Sequence, residues 1–371
     1  MPALSDVVII GGGAIGSGCA RALAHAGARV TVFEGASPAP AGEGWRASAG
    51  MLAAQVETEI DDPLFKLALA GRAFFHRNAA PLRSATGIDI GLMECGVLQL
   101  VRHEAEIERM LERVAWQRQQ AHRADWLSGL EVAEGWPWLA PSLGGFWAPE
   151  DGAVDPERLV AALKADAVAH GARFVASSVT ALDRTGDRLN GVQTGSGIHA
   201  CGAVVIAAGA WSGRIANLPR PLSVEPVRGQ MIAFPWPASA APAVIYGEHC
   251  YLLKRGNEML VGATVEHAGF DASVTAEGVA DLHTRAMRVY PGLIGNDPIR
   301  RWAGLRPAAP DGLPIIGPEP RLAGLWYATA HGRNGILLAG ITGELIARGL
   351  RGDPLPDELL PFRPSRFWDW S

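Results

Sequence analysis

Apolar and polar positions along the chain predict strand–helix units at both ends. Residues 7–10 form an uninterrupted apolar run, which is typical of a strand buried on both faces of a parallel sheet. Residues 15–27 then place apolar side chains on one helical face and end in glycine, and residues 29–34 form a second short strand. The same patterns predict further helices at residues 63–83, 103–122, 155–170 and 335–350.

Between these units, short apolar runs separated by turn residues predict further strands. They are expected at residues 173–175, 179–183, 189–194, 204–207 and 325–328. Residues 224–265 have the pattern of antiparallel strands with turns, whereas 38–44, 134–159 and 304–320 are expected to be a loop, a long irregular link and a Gly/Pro-rich passage. The pattern predicts an α/β plus antiparallel β fold, in which a Rossmann-type nucleotide domain carries an inserted α+β domain.

Composition narrows the class of protein. A chain of 371 residues exceeds what one core usually supports, so two domains are expected. The formal charge of -5 gives no general attraction to nucleic acid or to an anionic membrane, and no basic stripe accompanies the tryptophans. No apolar run reaches the ~18 residues of a membrane helix. We therefore expect no nucleic-acid and no membrane partner.

The four cysteines point to a reducing compartment. Cys19, Cys95, Cys201 and Cys250 are scattered and form no C-x-x-C pair, so neither a metal site nor a disulfide framework is expected. The N-terminus enters a strand without a basic region or a cleavage site. The sequence thus predicts a cytoplasmic protein.

A glycine cluster directly after the first strand is the first candidate binding motif in the chain. Gly11, Gly13 and Gly16 form G-x-G-x-x-G, and Glu34 ends the second strand. In such a turn the first glycine permits the bend, the second lets backbone approach a pyrophosphate, and the third packs helix on strand. The carboxylate can accept hydrogen bonds from ribose hydroxyls. Strand, spacing, helix and acidic residue together predict dinucleotide binding but leave NAD and FAD both open.

Three further stretches bear on that choice. "RASAGMLAAQVE" (46–57) has small residues against which a flat ring could pack, and "VVIAAGAWS" (204–212) is a buried strand ending in small residues. "GLRPAAPDGLPIIGP" precedes a glycine-punctuated "HGRNGILLAGITGELIARG" near the C-terminus. The first two stretches, taken alone, have ordinary structural explanations as an Ala-rich helix start and a strand followed by a turn.

With "IIGGGAIGS" and "YLLKRGNEMLVGATVEHAGFD", these stretches resemble the FAD-dependent D-amino-acid oxidase superfamily, and within it the glycine oxidases of thiamine biosynthesis. The resemblance runs in order along nearly the whole chain and implies FAD as cofactor. It implies an FAD-binding domain of residues 1–85, 148–218 and 302–371 with a substrate domain of 86–147 and 219–301. FAD is expected to be noncovalent, because related covalent enzymes use a cysteine and none lies in the C-terminal flavin motifs.

The resemblance also implies cofactor contacts. The glycine turn with Ala14 and Ile15 would face the pyrophosphate, Glu34 the adenosine ribose and Val179 the adenine. The other expected contacts are Ser48, Ala49, Gly50 and Met51 along the flavin, Ala208 and Gly209 near the pyrophosphate–ribose arm, and Gly332, Arg333, Asn334, Gly335 and Ile336 at the N1–C2=O edge. A helix starting near residue 335 would direct its positive end at that edge.

For the substrate, Tyr251 and Arg306 match the family's anchors for a carboxylate, and Arg333 matches a second arginine close to the site. A guanidinium binds a carboxylate through two parallel hydrogen bonds. Without the resemblance, Arg306 would be taken as a surface arginine and Tyr251 as a core aromatic residue. His249 and His331 would be ordinary hydrogen-bonded histidines.

The activity that the resemblance implies is oxidative deamination of glycine, other small amines or D-amino acids. A hydride passes from Cα to flavin N5, molecular oxygen reoxidises the flavin to give hydrogen peroxide, and the imine is hydrolysed or used in thiazole synthesis. Gly332 stands where the family usually has an aromatic residue, so the preferred amine stays open. A D-amino-acid or sarcosine-type oxidase or dehydrogenase, an NAD-dependent dehydrogenase and a non-catalytic module remain alternatives. A homo-oligomer is expected.

Overall fold

The computed structural model describes residues 6–35 and 42–367, which form two large sheets with helices around them. The helices are α1 Ala14–His25, α2 Gly44–Ala47, α3 Pro63–Thr86, α4 Ile107–Gln119, α5 Gly129–Gly135, α6 Pro156–Ala169, α7 Ala276–Val289 and α8 Ala339–Leu350. The strands are β1 Val7–Ile10, β2 Val30–Glu34, β3 Met51–Leu52, β4 Val97–Val101, β5 Asp125–Ser128, β6 Gly144–Ala148, β7 Gly152–Ala153, β8 Arg173–Ala176, β9 Val179–Thr185, β10 Arg188–Thr194, β11 Gly197–Ala200, β12 Ala203–Ile206, β13 Glu225–Pro235, β14 Val244–Gly247, β15 Cys250–Arg255, β16 Glu258–Gly262, β17 Arg300–Ala308, β18 Ile315–Pro318 and β19 Leu325–Thr329.

The first sheet is the expected Rossmann-type unit. Its strand order is β18-β19-β12-β1-β2-β8, and every neighbouring pair is parallel except β18 with β19. All four residues of β1 are buried, because helices α1, α3, α6 and α8 pack on one face of the sheet and the small sheet β9–β11 lies on the other. The predicted apolar run and the fold class are confirmed.

The second sheet is mixed, with strand order β17-β13-β16-β15-β14-β4-β6-β5. All its pairs are antiparallel except β14 with β4, and the segment 224–265 supplies β13 to β16 as predicted. One face packs on α7 and on Trp136 and Trp138, whereas the other packs on α4 and on residues 49–56. Strand β17 crosses the domain boundary expected at residue 302, and the division into domains stays a prediction.

Two segments predicted to be irregular contain strands, and these predictions were wrong. Within 134–159, β6 pairs with β4 and β5, and within 304–320, β17 and β18 form. Arg306 therefore lies on a strand and not in a loop. Strand β17 pairs with β13 along nine positions at the edge of the sheet, where proline is tolerated. Pairing with a distant strand outweighs the local Gly/Pro content.

The last helix begins later than predicted. Residues 332–338 form a 3₁₀ turn and further turns, and α8 begins only at Ala339, whose N–H bonds to the Ile336 carbonyl three residues back. This tighter winding precedes regular helix, so the predicted start near residue 335 was wrong. Most of the loop predicted at 38–44 lies outside the described residues. In the ranges that the structure describes, no helix is both long and apolar enough to cross a membrane.

Candidate active site

A cavity of about 1730 Å³ lies between the carboxyl ends of the parallel strands and the mixed sheet. Parallel α/β sheets bind their ligands at this end. The volume exceeds the about 300–1,000 Å³ that is usual for a small-molecule site. The cavity therefore has room for an extended ligand together with a second, small one.

The residues expected to contact FAD and substrate come together along this cavity, with the exception of Gly16. Those that line it are Gly11, Gly13, Ala14, Ile15, Glu34, Ser48, Ala49, Gly50, Met51, Val179, Ala208, Gly209, Tyr251, Arg306, Gly332, Arg333, Asn334, Gly335 and Ile336. A Cβ built on Gly16 would overlap the carbonyl oxygen of Gly11, so this glycine packs α1 against the turn after β1. The individual contacts with the cofactor stay predictions.

The glycine turn is shaped by close backbone approach. Gly11 has a φ of +102°, and a Cβ there would overlap the carbonyl of Ala207, the residue directly after β12. A Cβ on Gly13 would lie 2.9 Å from Cδ1 of Trp45. The N–H of Gly12 donates to Oε2 of Glu34, so this carboxylate holds the turn in addition to lining the cavity.

Arg306 and Tyr251 meet because two strands between them carry glycine. Arg306 is on β17 and Tyr251 on β15, with β13 and β16 between them. A Cβ on Gly229 of β13 would overlap the Arg306 guanidinium, and a Cβ on Gly262 of β16 would overlap the Tyr251 hydroxyl. Glycine inside a strand often marks such a close approach. The two glycines leave a trough in which both side chains lie across the sheet.

The chemistry of this pair suits a carboxylate. Nη1 of Arg306 donates to the carbonyl oxygens of Thr264 at 3.0 Å and Arg228 at 3.4 Å, which orients the guanidinium. Burial raises the pKa of Tyr251 to about 12, so its hydroxyl stays protonated at neutral pH. That hydroxyl contacts Sδ of Met231 at 3.2 Å, and a thioether is a weak acceptor. A planar cation and an O–H donor are thus available side by side.

Sequence reasoning missed Glu57, the last residue of "RASAGMLAAQVE". Its side chain is 10% exposed, accepts a hydrogen bond from the Tyr246 hydroxyl and places Oε2 3.4 Å from Nε of Arg333. Glu57 and Tyr246 line the same cavity as Arg306. The sequence signal was a lone carboxylate at the end of an apolar run. We call the five residues Glu57, Tyr246, Tyr251, Arg306 and Arg333 the anchor pocket.

The segment before Glu57 is held from both sides by buried charges. Asp151 is fully buried and accepts the backbone N–H groups of Gln55 and Val56, each at 2.9 Å. Nη2 of Arg113 donates to the carbonyls of the same two residues. Nη1 of Arg72 is 2.7 Å from Asp151 and balances its charge. The backbone that carries Glu57 is therefore fixed.

His331 and His249 differ in their surroundings. His331 is buried, and its Nε2 lies 3.0 Å from Oγ1 of Thr342. Burial lowers the pKa of His331 to about 3, so the ring is neutral. Its Nδ1 has no partner among residues 6–35 and 42–367. His249 occupies a left-handed turn at the cavity, and its carbonyl accepts from Arg285 at 3.3 Å.

Comparison with known families decides the class. A family model described as FAD dependent oxidoreductase, DAO, matches residues 6–348, which is most of the chain. The chain belongs to the DAO family. This DAO-family protein is an FAD-dependent oxidoreductase, so the choice between NAD and FAD that the glycine turn left open falls to FAD.

Relatives of this DAO-family protein include small-amine oxidases. A glycine oxidase of Geobacillus kaustophilus is 36% identical over 97% of both chains, and a crystal structure of glycine oxidase from that organism has a TM-score of 0.91, covering 98% of this chain and 99% of the other. The bifunctional protein ThiO/ThiG of Trichormus variabilis is 36% identical over 98% of this chain and 55% of its own length. An iminodiacetate oxidase from Chelativorans is 27% identical with a TM-score of 0.87, covering 96% of this chain and 98% of the other.

The residues of this DAO-family protein fit FAD. The turn at Gly11 and Gly13 is a cradle without side chains, and a Cβ on Gly50 would overlap the Val154 carbonyl, which shows close backbone approach along a second wall. The unpartnered Nδ1 of His331 is a buried polar atom of a cavity-lining residue. Cys250 also lines the cavity, and burial raises its thiol pKa to about 12. Noncovalent attachment stays a prediction.

Proposed function

We propose that this enzyme oxidises glycine, another small amine or a D-amino acid to the imine, with molecular oxygen as the final acceptor and hydrogen peroxide as product. The observation that supports this most is the pair Arg306 and Tyr251, which faces the same cavity as the glycine turn. The similar glycine oxidases support the substrate class. The likeness to ThiO/ThiG supports use of the imine in making the thiazole of thiamine.

Within this proposal the residues of the chain bind and orient the substrate. Arg306 takes the carboxylate through two parallel N–H groups, and Tyr251 donates a third hydrogen bond. FAD, when bound, supplies the hydride acceptor for the Cα–H bond. Fixing the carboxylate aims that bond, and orientation of this kind contributes about 7–11 kcal/mol to lowering a barrier. No side chain has to remove a proton from Cα, so the pocket needs no catalytic base for that step.

The cofactor-binding roles are carried over as proposals. The backbone of the Gly11–Gly13 turn would hold the pyrophosphate and Glu34 the adenosine ribose, while residues 48–51 and 332–336 would line the flavin. The N–H of Asn334 donates to the His331 carbonyl. Because α8 begins only at Ala339, the N–H groups of Gly332 and Arg333, and not the first turn of α8, remain at this wall of the cavity. They are the backbone donors available to stabilise negative charge there.

Gly332 bears on which members of this substrate class the enzyme accepts, glycine alone or also the bulkier sarcosine-type and D-amino-acid amines. Gly332 has a φ of +55°, and among the described residues no atom lies within 4 Å of a Cβ built on it. The cavity wall at Gly332 therefore carries no side chain that would exclude a substituent on the amine nitrogen or on Cα.

The test is the visible spectrum of the purified, FAD-loaded protein without oxygen. A flavin band that bleaches with glycine supports the glycine assignment. Bleaching with sarcosine or D-alanine but not with glycine assigns the protein to the bulkier amines of the proposed class. A flavin band that none of the three amines bleaches overturns the proposal.

A further inference from the structure

We infer that Glu57 restricts the anchor pocket to amines that carry one carboxylate and excludes dicarboxylic amines such as iminodiacetate. The inference rests on the proposed function, since it names the substrate class of the same site. It follows from the charges that face one another in the anchor pocket and from the way the backbone before Glu57 is held.

The anchor pocket has a net charge of one positive unit. Arg306 and Arg333 are cations, Glu57 is an anion, and burial raises the pKa of both Tyr246 and Tyr251 so that they stay uncharged at neutral pH. With the amine neutral, as hydride transfer from Cα requires, one substrate carboxylate balances this charge. A second carboxylate would leave an excess negative charge in a partly desolvated site, which is costly.

Three other cations that line the cavity already face a carboxylate, and one of them, Arg285, lies 2.6 Å from Asp281. Glu59 pairs with Arg109 at 3.6 Å, and Glu248 pairs with Arg102 at 3.5 Å. A second substrate carboxylate would therefore seek Arg333, which is 61% exposed and already lies beside Glu57. To bind there, the second substrate carboxylate would have to displace the Glu57 carboxylate from the Arg333 guanidinium.

Glu57 cannot easily move aside to admit it. The N–H groups of Gln55 and Val56 are bound to Asp151, and their carbonyls are bound to Arg113, so the preceding backbone is held in both directions. The Tyr246 hydroxyl holds the carboxylate itself. The negative charge is thus a fixed part of the pocket wall.

The test measures binding of two unreactive probes, acetate and malonate, to the FAD-loaded protein by isothermal titration calorimetry. In the wild type, acetate binds more tightly than malonate. In Glu57→Gln the ratio of malonate to acetate affinity rises by about tenfold or more, and the ratio of kcat/KM for iminodiacetate to that for glycine rises in parallel. Glu57→Asp keeps the charge and stays close to the wild-type ratios.

Glu59→Gln is the matched control, because it removes an exposed carboxylate two residues away from Glu57. It changes the affinity ratio and the kcat/KM ratio by less than about twofold. Arg333→Gln added to Glu57→Gln abolishes the gain for malonate. A wild type that binds malonate more tightly than acetate overturns the inference without any variant, as does an unchanged ratio in Glu57→Gln. A wild type that binds neither probe and is not reduced by glycine, sarcosine or D-alanine overturns the proposed function instead.

Discussion

The guanidinium of Arg306 fills the space that a side chain at Gly229 would occupy. Strands β17 and β13 pair so that Arg306 is opposite Val227, and Gly229 is its diagonal neighbour two residues further along β13. A Cβ on Gly229 would overlap Nη1, Nη2 and Cζ of the arginine. The proposed anchor therefore depends on a missing side chain in the next strand.

Arg306→Ala should keep FAD and lose the amino acid. Removing a partly buried guanidinium that binds a carboxylate typically costs about 2–5 kcal/mol, so the apparent affinity for glycine or acetate should fall by about 100-fold. Titration calorimetry measures the loss. Arg301→Ala, which removes an exposed arginine of the same strand, should bind as the wild type does. Equal affinities in wild type and Arg306→Ala would exclude Arg306 as the anchor.

Gly229→Ala should weaken substrate binding indirectly, through the position of Arg306. The added methyl group displaces the Arg306 guanidinium, whereas the glycine turn is left intact. The flavin absorbance should stay normal, and the affinity for acetate should fall by about tenfold or more. If the affinity stayed at the wild-type value, the guanidinium would have moved at no cost and the trough would not position it.

Gly13→Val should yield colourless protein. The new side chain collides with Trp45 and fills the cradle after β1. The ratio of flavin to protein absorbance measures cofactor content. Gly195→Val is the control, since among the described residues no atom lies within 4 Å of a Cβ there and its φ is not left-handed. A yellow Gly13→Val protein would show that the pyrophosphate does not lie at this turn.

Asp151→Asn should destabilise the fold more than Glu150→Gln. Both carboxylates contact Arg72, at 2.7 Å and 2.8 Å, but Asp151 is fully buried and Glu150 is 39% exposed. Breaking the buried pair should lower the free energy of unfolding by about 3–5 kcal/mol. The exposed pair should contribute less than about 1 kcal/mol. Urea unfolding of the two variants compares them directly, and equal losses would contradict the assignment.

The apoprotein should lose stability below neutral pH through His331. Burial lowers the pKa of His331 in the folded chain to about 3, so below the ordinary histidine pKa the unfolded chain binds a proton that the folded chain does not. The difference in free energy of unfolding between the wild type and His331→Gln should fall by about 1.4 kcal/mol as the pH is lowered from about 7.5 to about 5.5. A difference that does not change with pH would mean that His331 is not held neutral.

The sequence by itself determined the local parts of this protein. The apolar run of β1, the glycine turn, α1 and the acidic end of β2 are contiguous, and each follows from short-range preferences. The N-terminus of α6 is also local: Asp155 accepts from the N–H groups of Glu157 and Arg158, and an aspartate directly before a proline favours such a cap. The motifs along the chain were sufficient to assign the family and FAD.

Only the tertiary structure decided how the anchor pocket is built. Arg306 is on a strand because β13 pairs with it, and its side chain lies over a glycine 77 positions earlier. Glu57 meets Tyr246 across 189 positions, and its backbone is fixed by Asp151 across 95 and 96. Such contacts leave no periodic trace in the sequence, because burial and pairing with distant strands determine them and local backbone preference does not.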